Sequence, residues 1–310
     1  MKIYHHIDAD GYFSAHTVNT YAVPDEHPKE FIGVDYGTKI NFSAIKKDEL
    51  VYIVDFSFEI EDMNKLLEIT QNVVWIDHHI TSISKYNDFP VQIKGLRIDG
   101  IAACELCYIY LVQMTNGGTE YELEFKKEMQ NSVPMYIRYV GDRDVWKYEF
   151  GDSTVLFNLG LNILDIRPTS EDLNKFVHSE SPYELIDKVI SAGHAIKNYR
   201  DKKDSSYVKS FAFDCKVKGF EQYKVLACNR GYSGSEMFNS ITSREDTDYD
   251  VLLSFAFDGK EYKCSVYRVN PKTDVSEIAL YYEGGGHKGA AGFKCKELPI
   301  IPIAKIDYKD

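Results

Sequence analysis

The sequence predicts an α/β chain of two domains, a parallel sheet flanked by helices and then a smaller α/β domain. Three observations carry this. Lys2–Tyr4, Phe31–Val34, Val51–Val54 and Val73–Ile76 are short β-rich apolar runs, each bounded by polar or turn residues. Between the last two, Ile60, Met63, Leu66, Leu67 and Thr70 fall at helical spacing with charges on the opposite face, and strand–helix–strand order implies a parallel sheet. After about residue 205 the pattern turns from helical to strand-rich.

Along the chain, Ile101–Met114 and Glu122–Val140 read as helices, the second broken near Pro134. Residues from Ser153 to about Tyr207 read as helical, with Ser181 as a cap and Pro182 as the first residue of a long helix. The polar run Asn198–Ser206 is the best linker in the sequence, which gives domains 1–197 and 208–310 joined by 198–207. Beyond it, Tyr207–Phe213, Tyr223–Cys228, Val251–Phe257 and Tyr262–Val269 read as strands. A helix over Val275–Tyr282 precedes a glycine-rich turn.

Composition narrows the function. With 310 residues, 44% hydrophobic and 27% charged, the chain is long and apolar enough to bury two cores. No apolar run approaches the roughly 18 residues of a membrane span, so no membrane partner is expected. Met1–Asp8 carries an acid and no apolar centre, so no secretion signal is expected; six cysteines without a framework fit a reducing cytoplasm. The net charge of −12 excludes a broad basic track for long double-stranded nucleic acid. The deficit lies wholly in residues 1–207, with 21 Lys and Arg against 33 Asp and Glu; residues 208–310 carry 15 of each. An acidic lobe that handles anions needs cations to reverse its field.

Three strands end in metal-ligand residue types: His6-Ile7-Asp8-Ala9-Asp10-Gly11, Asp55, and Asp77-His78-His79. Functional groups of an open parallel sheet collect at the carboxyl ends of its strands, which brings these residues into one crevice. So many carboxylates share a site only with raised pKa values or bound cations. Mixed oxygen and imidazole donors suit Mn²⁺ or Fe²⁺, and a carboxylate-heavy set suits a pair of ions and hydrolysis of a phosphate ester or anhydride. Taken singly, His6–Gly11 reads equally well as a capped turn and Asp55 more readily as a strand-end turn, whereas adjacent histidines after a buried strand fit a solvated loop less well; their order and setting together favour the site. In the second domain, Gly284-Gly285-Gly286-His287-Lys288-Gly289-Ala290-Ala291-Gly292 suggests anion binding, through backbone amides of the turn and of a following helix start, with His287 and Lys288 adding charge.

Together these motifs resemble the DHH phosphoesterases that carry a C-terminal DHH-associated domain, a group of nano-RNases (oligoribonucleases), single-strand-specific exonucleases and cyclic-dinucleotide phosphodiesterases. Gly141-Asp142-Arg143-Asp144-Val145-Trp146 resembles the family's fourth metal motif, especially in the nano-RNase-like branch. The resemblance implies one Mn²⁺ on His6, Asp8 and Asp55 and a second on Asp10, Asp55, His78 and Asp142, with Asp55 bridging; Mg²⁺, Co²⁺ or Fe²⁺ would serve in the same seats. Asp77 would orient the imidazoles and His79 would face the substrate phosphate or the leaving oxygen. Gly284, Gly285, Gly286 and His287 would hold substrate phosphates, and Arg268 resembles the family's phosphate-reading arginine. Glu283 stands where the family commonly has a first glycine. Of the two acids in the fourth motif, Asp142 aligns better; the sequence alone leaves Asp144 open, with a structural role beside Arg143 and Trp146 as its other reading.

The implied function is a Mn²⁺-dependent phosphodiesterase that cuts very short single-stranded oligonucleotides to mononucleotides through a hydroxide bridging two ions, with the substrate between two lobes. Phosphoadenosine phosphate and cyclic or linear dinucleotides share that chemistry; a pyrophosphatase or a non-catalytic nucleotide sensor fits the motifs less well. Monomer and homodimer are both open. Cys104 and Cys107 form a lone pair at i and i+3 of an apolar helix and read as packing; the 23 tyrosines are scattered and give no stacking platform, with Tyr232 and Phe238 the aromatic candidates near the second domain's cleft.

Overall fold

The structure, a computed structural model, describes residues 1–22, 28–35, 37–115, 127–231, 233–242 and 247–305. Contacts divide the chain into two units, Met1–Ile196 and Lys197–Asp310. Among the described residues no helix is long and apolar enough to cross a membrane.

In the first unit, β1 (Lys2–His6), β2 (Glu30–Val34), β3 (Val51–Val54) and β4 (Val73–Ile76) form a parallel sheet in the order β2-β1-β3-β4. Among the described residues seven helices accompany it: α1 (Ala9–Tyr21), α2 (Ile60–Ile69), α3 (Ile80–Lys85), α4 (Ala103–Thr115), α5 (Met135–Asp144), α6 (Asp152–Gly160) and α7 (Glu171–His178); α8 (Pro182–Phe211) begins in this unit and ends in the second. β3 and β4 read as unbroken apolar runs because both sheet faces are covered there, whereas the edge strand β2 is partly exposed. Ile3, Val54 and Ile76 pack on one side with Phe13, Leu106 and Ile109. Tyr4, Ile53 and Trp75 pack on the other with Met63 and Leu66. Register fixes the site: His5 pairs with Val54 and Val54 with Ile76, so His6, Asp55 and Asp77 come side by side where the three strands end.

Two expected boundaries move. The helix expected over 122–140 is a 3₁₀ turn at Lys127–Ser132 and then α5 from Met135 to Asp144, with Pro134 at the break; residues 122–126 lie outside the described residues. The expected linker 198–207 is helical, part of α8, so the strand expected from Tyr207 begins at Ala212. Its charges sit at helical spacing, as in the Lys197–Asp201 pair, and make a solvated helix face rather than a coil.

The second unit carries a seven-stranded sheet of β5 (Ala212–Val217), β6 (Val225–Asn229), β7 (Val251–Phe257), β8 (Tyr262–Arg268), β9 (Gly285–Gly286), β10 (Ala290–Cys295) and β11 (Ile300–Lys305), in the order β11-β5-β6-β7-β8-β10-β9. The β6–β7 pair is parallel and its neighbours are antiparallel. Two short helices, α9 (Asn239–Thr242) and α10 (Val275–Tyr281), join it among the described residues. Phe238, named above as a base contact, is fully buried against this sheet with Leu226 and Leu252, and Tyr232 lies outside the described residues. The two cysteines of α4 are buried and free, as packing residues are.

Candidate metal centre

Asp55 is the centre of the first unit's crevice. It comes directly after β3 with φ +53°, a left-handed conformation that Asp tolerates better than most residues, and its amide donates to the Ile76 carbonyl at 3.0 Å. The residue is 1% exposed, yet neither carboxylate oxygen has a hydrogen-bond partner. Around it stand His78 Nε2 at 3.3 Å, His6 Nδ1 at 3.8 Å and His79 Nδ1 at 3.9 Å. Burial first, and then the charges of Asp10, Asp8, Asp144 and Asp77, push its carboxyl well above the usual range. A buried, unpartnered carboxylate among imidazoles is costly unless a cation completes it.

The segment after β1 supplies three donors. Asp8 caps α1, accepting the Gly11 amide at 2.9 Å and meeting His6 Nδ1 at 2.6 Å. Burial raises the Asp8 carboxyl, but the His6 and Gly11 hydrogen bonds outweigh it and hold it below its ordinary value. The same contact with Asp8 raises the His6 imidazole. Gly11 is required by packing: a Cβ there would lie 2.2 Å from the His6 carbonyl oxygen. Asp10 is buried and reaches across to α4, where its oxygens accept the Ala103 and Cys104 amides at 2.8 Å each. Its Oδ2 remains 3.6 Å from His78 Nε2, and a carboxylate oxygen has a second lone pair to offer there.

At the end of β4, Asp77 is fully buried and accepts from the His78 and His79 amides, from His79 Nδ1 at 2.7 Å and from Ser57 Oγ. It therefore holds the His79 ring directly and the His78 segment through its backbone amide. Those contacts outweigh burial and hold its carboxyl low, while Asp77 in turn raises His79.

The fourth motif requires a correction. Asp142, expected as the ligand, is 4% exposed and engaged elsewhere: it accepts the Glu149 amide at 2.8 Å, the Phe150 amide at 3.3 Å and Thr154 Oγ1. It ties the end of α5 to the start of α6. Asp144 instead reaches the centre, its Oδ2 3.3 Å from His78 Nε2. Two helical positions separate the acids, which turns them to different sides of α5. Burial, then the neighbouring Asp10 and Asp8, lift the Asp144 carboxyl to about 8.

Among the described residues three overlapping triads result, His6–Asp8–Asp55, Asp10–His78–Asp144 and Asp55–His78–His79, each with donor atoms within 4.8 Å of one another. Like Asp55, His78 Nε2 is buried without a hydrogen bond. Hard oxygen donors mixed with imidazole nitrogens fit divalent ions, and Asp55 belongs to two of the triads. Asp35, whose Oδ1 lies 3.6 Å from His6 Nε2, also faces the site; no motif in the sequence surrounds it.

In the second unit, the glycine-rich segment is strand β9, a tight turn and strand β10. His287 and Ala290 exchange amide–carbonyl bonds at 2.8 and 3.2 Å, so the turn leads into a strand and not into the expected helix start. Gly284 packs where a Cβ would be 2.2 Å from the Gly292 carbonyl oxygen, whereas Gly285 faces open space. His287 is exposed. Arg268, also exposed, borders the turn through its amide, which donates to the Gly289 carbonyl at 3.0 Å.

A structure described as the DHH domain of a member of the s1p family of ribosomal proteins matches 95% of this chain and 82% of its own, at TM-score 0.54 and 13% identity. The chain has the fold of a DHH domain. Two other structures superpose less closely: a pGpG-specific phosphodiesterase, PggH, from Vibrio cholerae, at TM-score 0.47 and 13% identity over 95% of this chain and 93% of that one, and exonuclease RecJ bound to manganese, at 0.45 and 14% over 95% and 85%. In sequence, the uncharacterized protein R106 of Acanthamoeba polyphaga mimivirus is 22% identical over 99% of this chain and 70% of its own length. No family model matches. Within the DHH fold, Asp77-His78-His79 stands at the end of β4 with Asp77 turned inward as support and His78 turned to the donor cluster.

Proposed function

We propose that the chain is a divalent-metal-dependent phosphodiesterase that hydrolyses very short single-stranded oligonucleotides to mononucleotides. The observation that carries the reading is Asp55, a buried carboxylate with both oxygens unpartnered, shared by two triads of oxygen and imidazole donors. His6, Asp8 and Asp55 would hold one ion and Asp10, Asp55, His78 and Asp144 a second, with Mn²⁺ the first choice. Such ions, when bound, acidify water and offset the charge that builds on phosphoryl oxygens.

The chain's own residues do the rest. Asp77 fixes the His79 ring through Nδ1, so His79 presents Nε2 to the substrate. The proton affinity that Asp77 gives His79 suits it to donate a proton to the leaving oxygen. Arg268, His287 and the open backbone at Gly285 bind a substrate phosphate. The oligonucleotide is short because a single compact turn, with no basic track, does the gripping.

The test is turnover with Mn²⁺ on di- to pentanucleotides, phosphoadenosine phosphate, cyclic dinucleotides and pyrophosphate, with Asp55→Ala as control. Mononucleotide release that is fastest on the shortest oligomers and lost in the variant supports the reading. Activity confined to pyrophosphate would reassign the substrate and remove the role given to the glycine-rich turn.

A further inference from the structure

The chain has two tryptophans. Trp75 is 1% exposed in the core, and Trp146 is 69% exposed two residues beyond Asp144. Trp146 lies just past the end of α5, where its amide donates to the Arg143 carbonyl at 3.2 Å. Its φ is +55° and that of Tyr148 is +52°, values that bulky residues rarely adopt and that helices commonly reserve for glycine at this position.

The indole is held from its own side of the surface. The Arg143 guanidinium lies 4.5 Å from the Trp146 ring centroid, and Arg143 Nη1 donates to Tyr148 Oη at 2.6 Å. Tyr148 meets the indole edge-on, with centroids 6.0 Å apart at 81°. A guanidinium stacked on an indole is a sequence-tolerant surface for a further aromatic ring. The backbone that presents this ring is continuous with the one that carries Asp144 to His78. Strained backbone at such a point is a mark of function rather than of ordinary surface.

We infer that Trp146, backed by Arg143 and braced by Tyr148, is a stacking platform for a nucleobase of the substrate whose phosphate is cut. The inference rests on the phosphodiesterase reading above and adds a base-binding subsite to it. Trp146 is a binding residue, so its loss acts on KM and leaves chemistry at the phosphate to the donor cluster.

Because Trp75 is buried away from solvent, a ligand-dependent change in tryptophan emission reports on Trp146. The full chain is titrated with pApA, and with its counterpart lacking one base, with Ca²⁺ in place of Mn²⁺. The expected result is saturable quenching by pApA, weaker quenching by the abasic compound, and none in Trp146→Phe, whose emission comes from Trp75. In Mn²⁺, Trp146→Ala should raise KM for pApA about tenfold with kcat little changed, erasing the preference over the abasic substrate, and Trp146→Phe should restore it. Metal-dependent hydrolysis of pApA with no quenching, and an unaltered KM in Trp146→Ala, would overturn the platform while leaving the phosphodiesterase reading in place. Quenching by pApA without hydrolysis of any substrate would keep the platform and sink the phosphodiesterase.

Discussion

Asp142 and Asp144 should respond oppositely to the same substitution. The Asp144 carboxyl is lifted to about 8, whereas an unfolded Asp titrates near 3.9. A carboxyl raised in the folded state penalises folding at every pH above its unfolded value. That penalty is absent below about pH 4, grows by about 1.4 kcal/mol per pH unit, and levels off near pH 8. At pH 7 this is roughly 4 kcal/mol; with 29% of the side chain exposed, screening reduces it to about 2 kcal/mol. Asp144→Asn should therefore raise the melting temperature of the metal-free protein by roughly 4–8 °C at pH 7 and hardly at all at pH 4. It should also weaken the stabilisation given by Mn²⁺. Asp142→Asn does the reverse, because it places an amide donor against the Glu149 or Phe150 amide in a buried pocket, costing about 2 kcal/mol while leaving the Mn²⁺ response intact. Thermal melts of both variants in EDTA and in Mn²⁺, at pH 4 and pH 7, decide the matter. A destabilised Asp144→Asn at pH 7, or loss of the Mn²⁺ response in Asp142→Asn alone, would refute the exchange of roles.

The geometry fixes three further outcomes. Asp77→Ala frees the His79 ring and the two amides it holds, so Mn²⁺ affinity measured by equilibrium dialysis should fall about 10–100-fold. Gly11→Ala forces a Cβ against the His6 carbonyl; it should lower the melting temperature and Mn²⁺ affinity together, and unchanged values would contradict the packing. Combining Arg268→Ala with His287→Ala should raise KM for a dinucleotide by roughly tenfold or more without a matching fall in kcat, as steady-state kinetics would show.

Much of the site is legible in the sequence because it depends on strand ends. Lys2–Tyr4, Val51–Val54 and Val73–Ile76 are apolar enough to be buried on both faces, and the residues just after them carry the donors. Local spacing does not report rotation about a helix axis, and the fourth motif misleads for that reason: Asp142 fits it, but only Glu149, Phe150 and Thr154, farther along the chain, reveal that its oxygens are occupied. The polar run 198–207 has linker composition but helical charge spacing, and the second property prevails. The glycines around His287 announce a turn. The strand after that turn is set by pairing of β10 with β8, a long-range contact that Gly and Ala do not signal. Asp35 is brought to His6 by the pairing of β2 with β1, and no local pattern points there.

The hold of Asp10 on the amides of Ala103 and Cys104 also has a meaning during synthesis. The partners are 93 residues apart for the first of these bonds, a wait of roughly 5–20 s at ribosomal speeds. His6, Asp8 and Asp55 are all made before α4 exists, whereas Asp144 is made after it. All three donors of the His6–Asp8–Asp55 triad are thus synthesised before either of the helices, α4 and α5, on which the Asp10–His78–Asp144 triad depends.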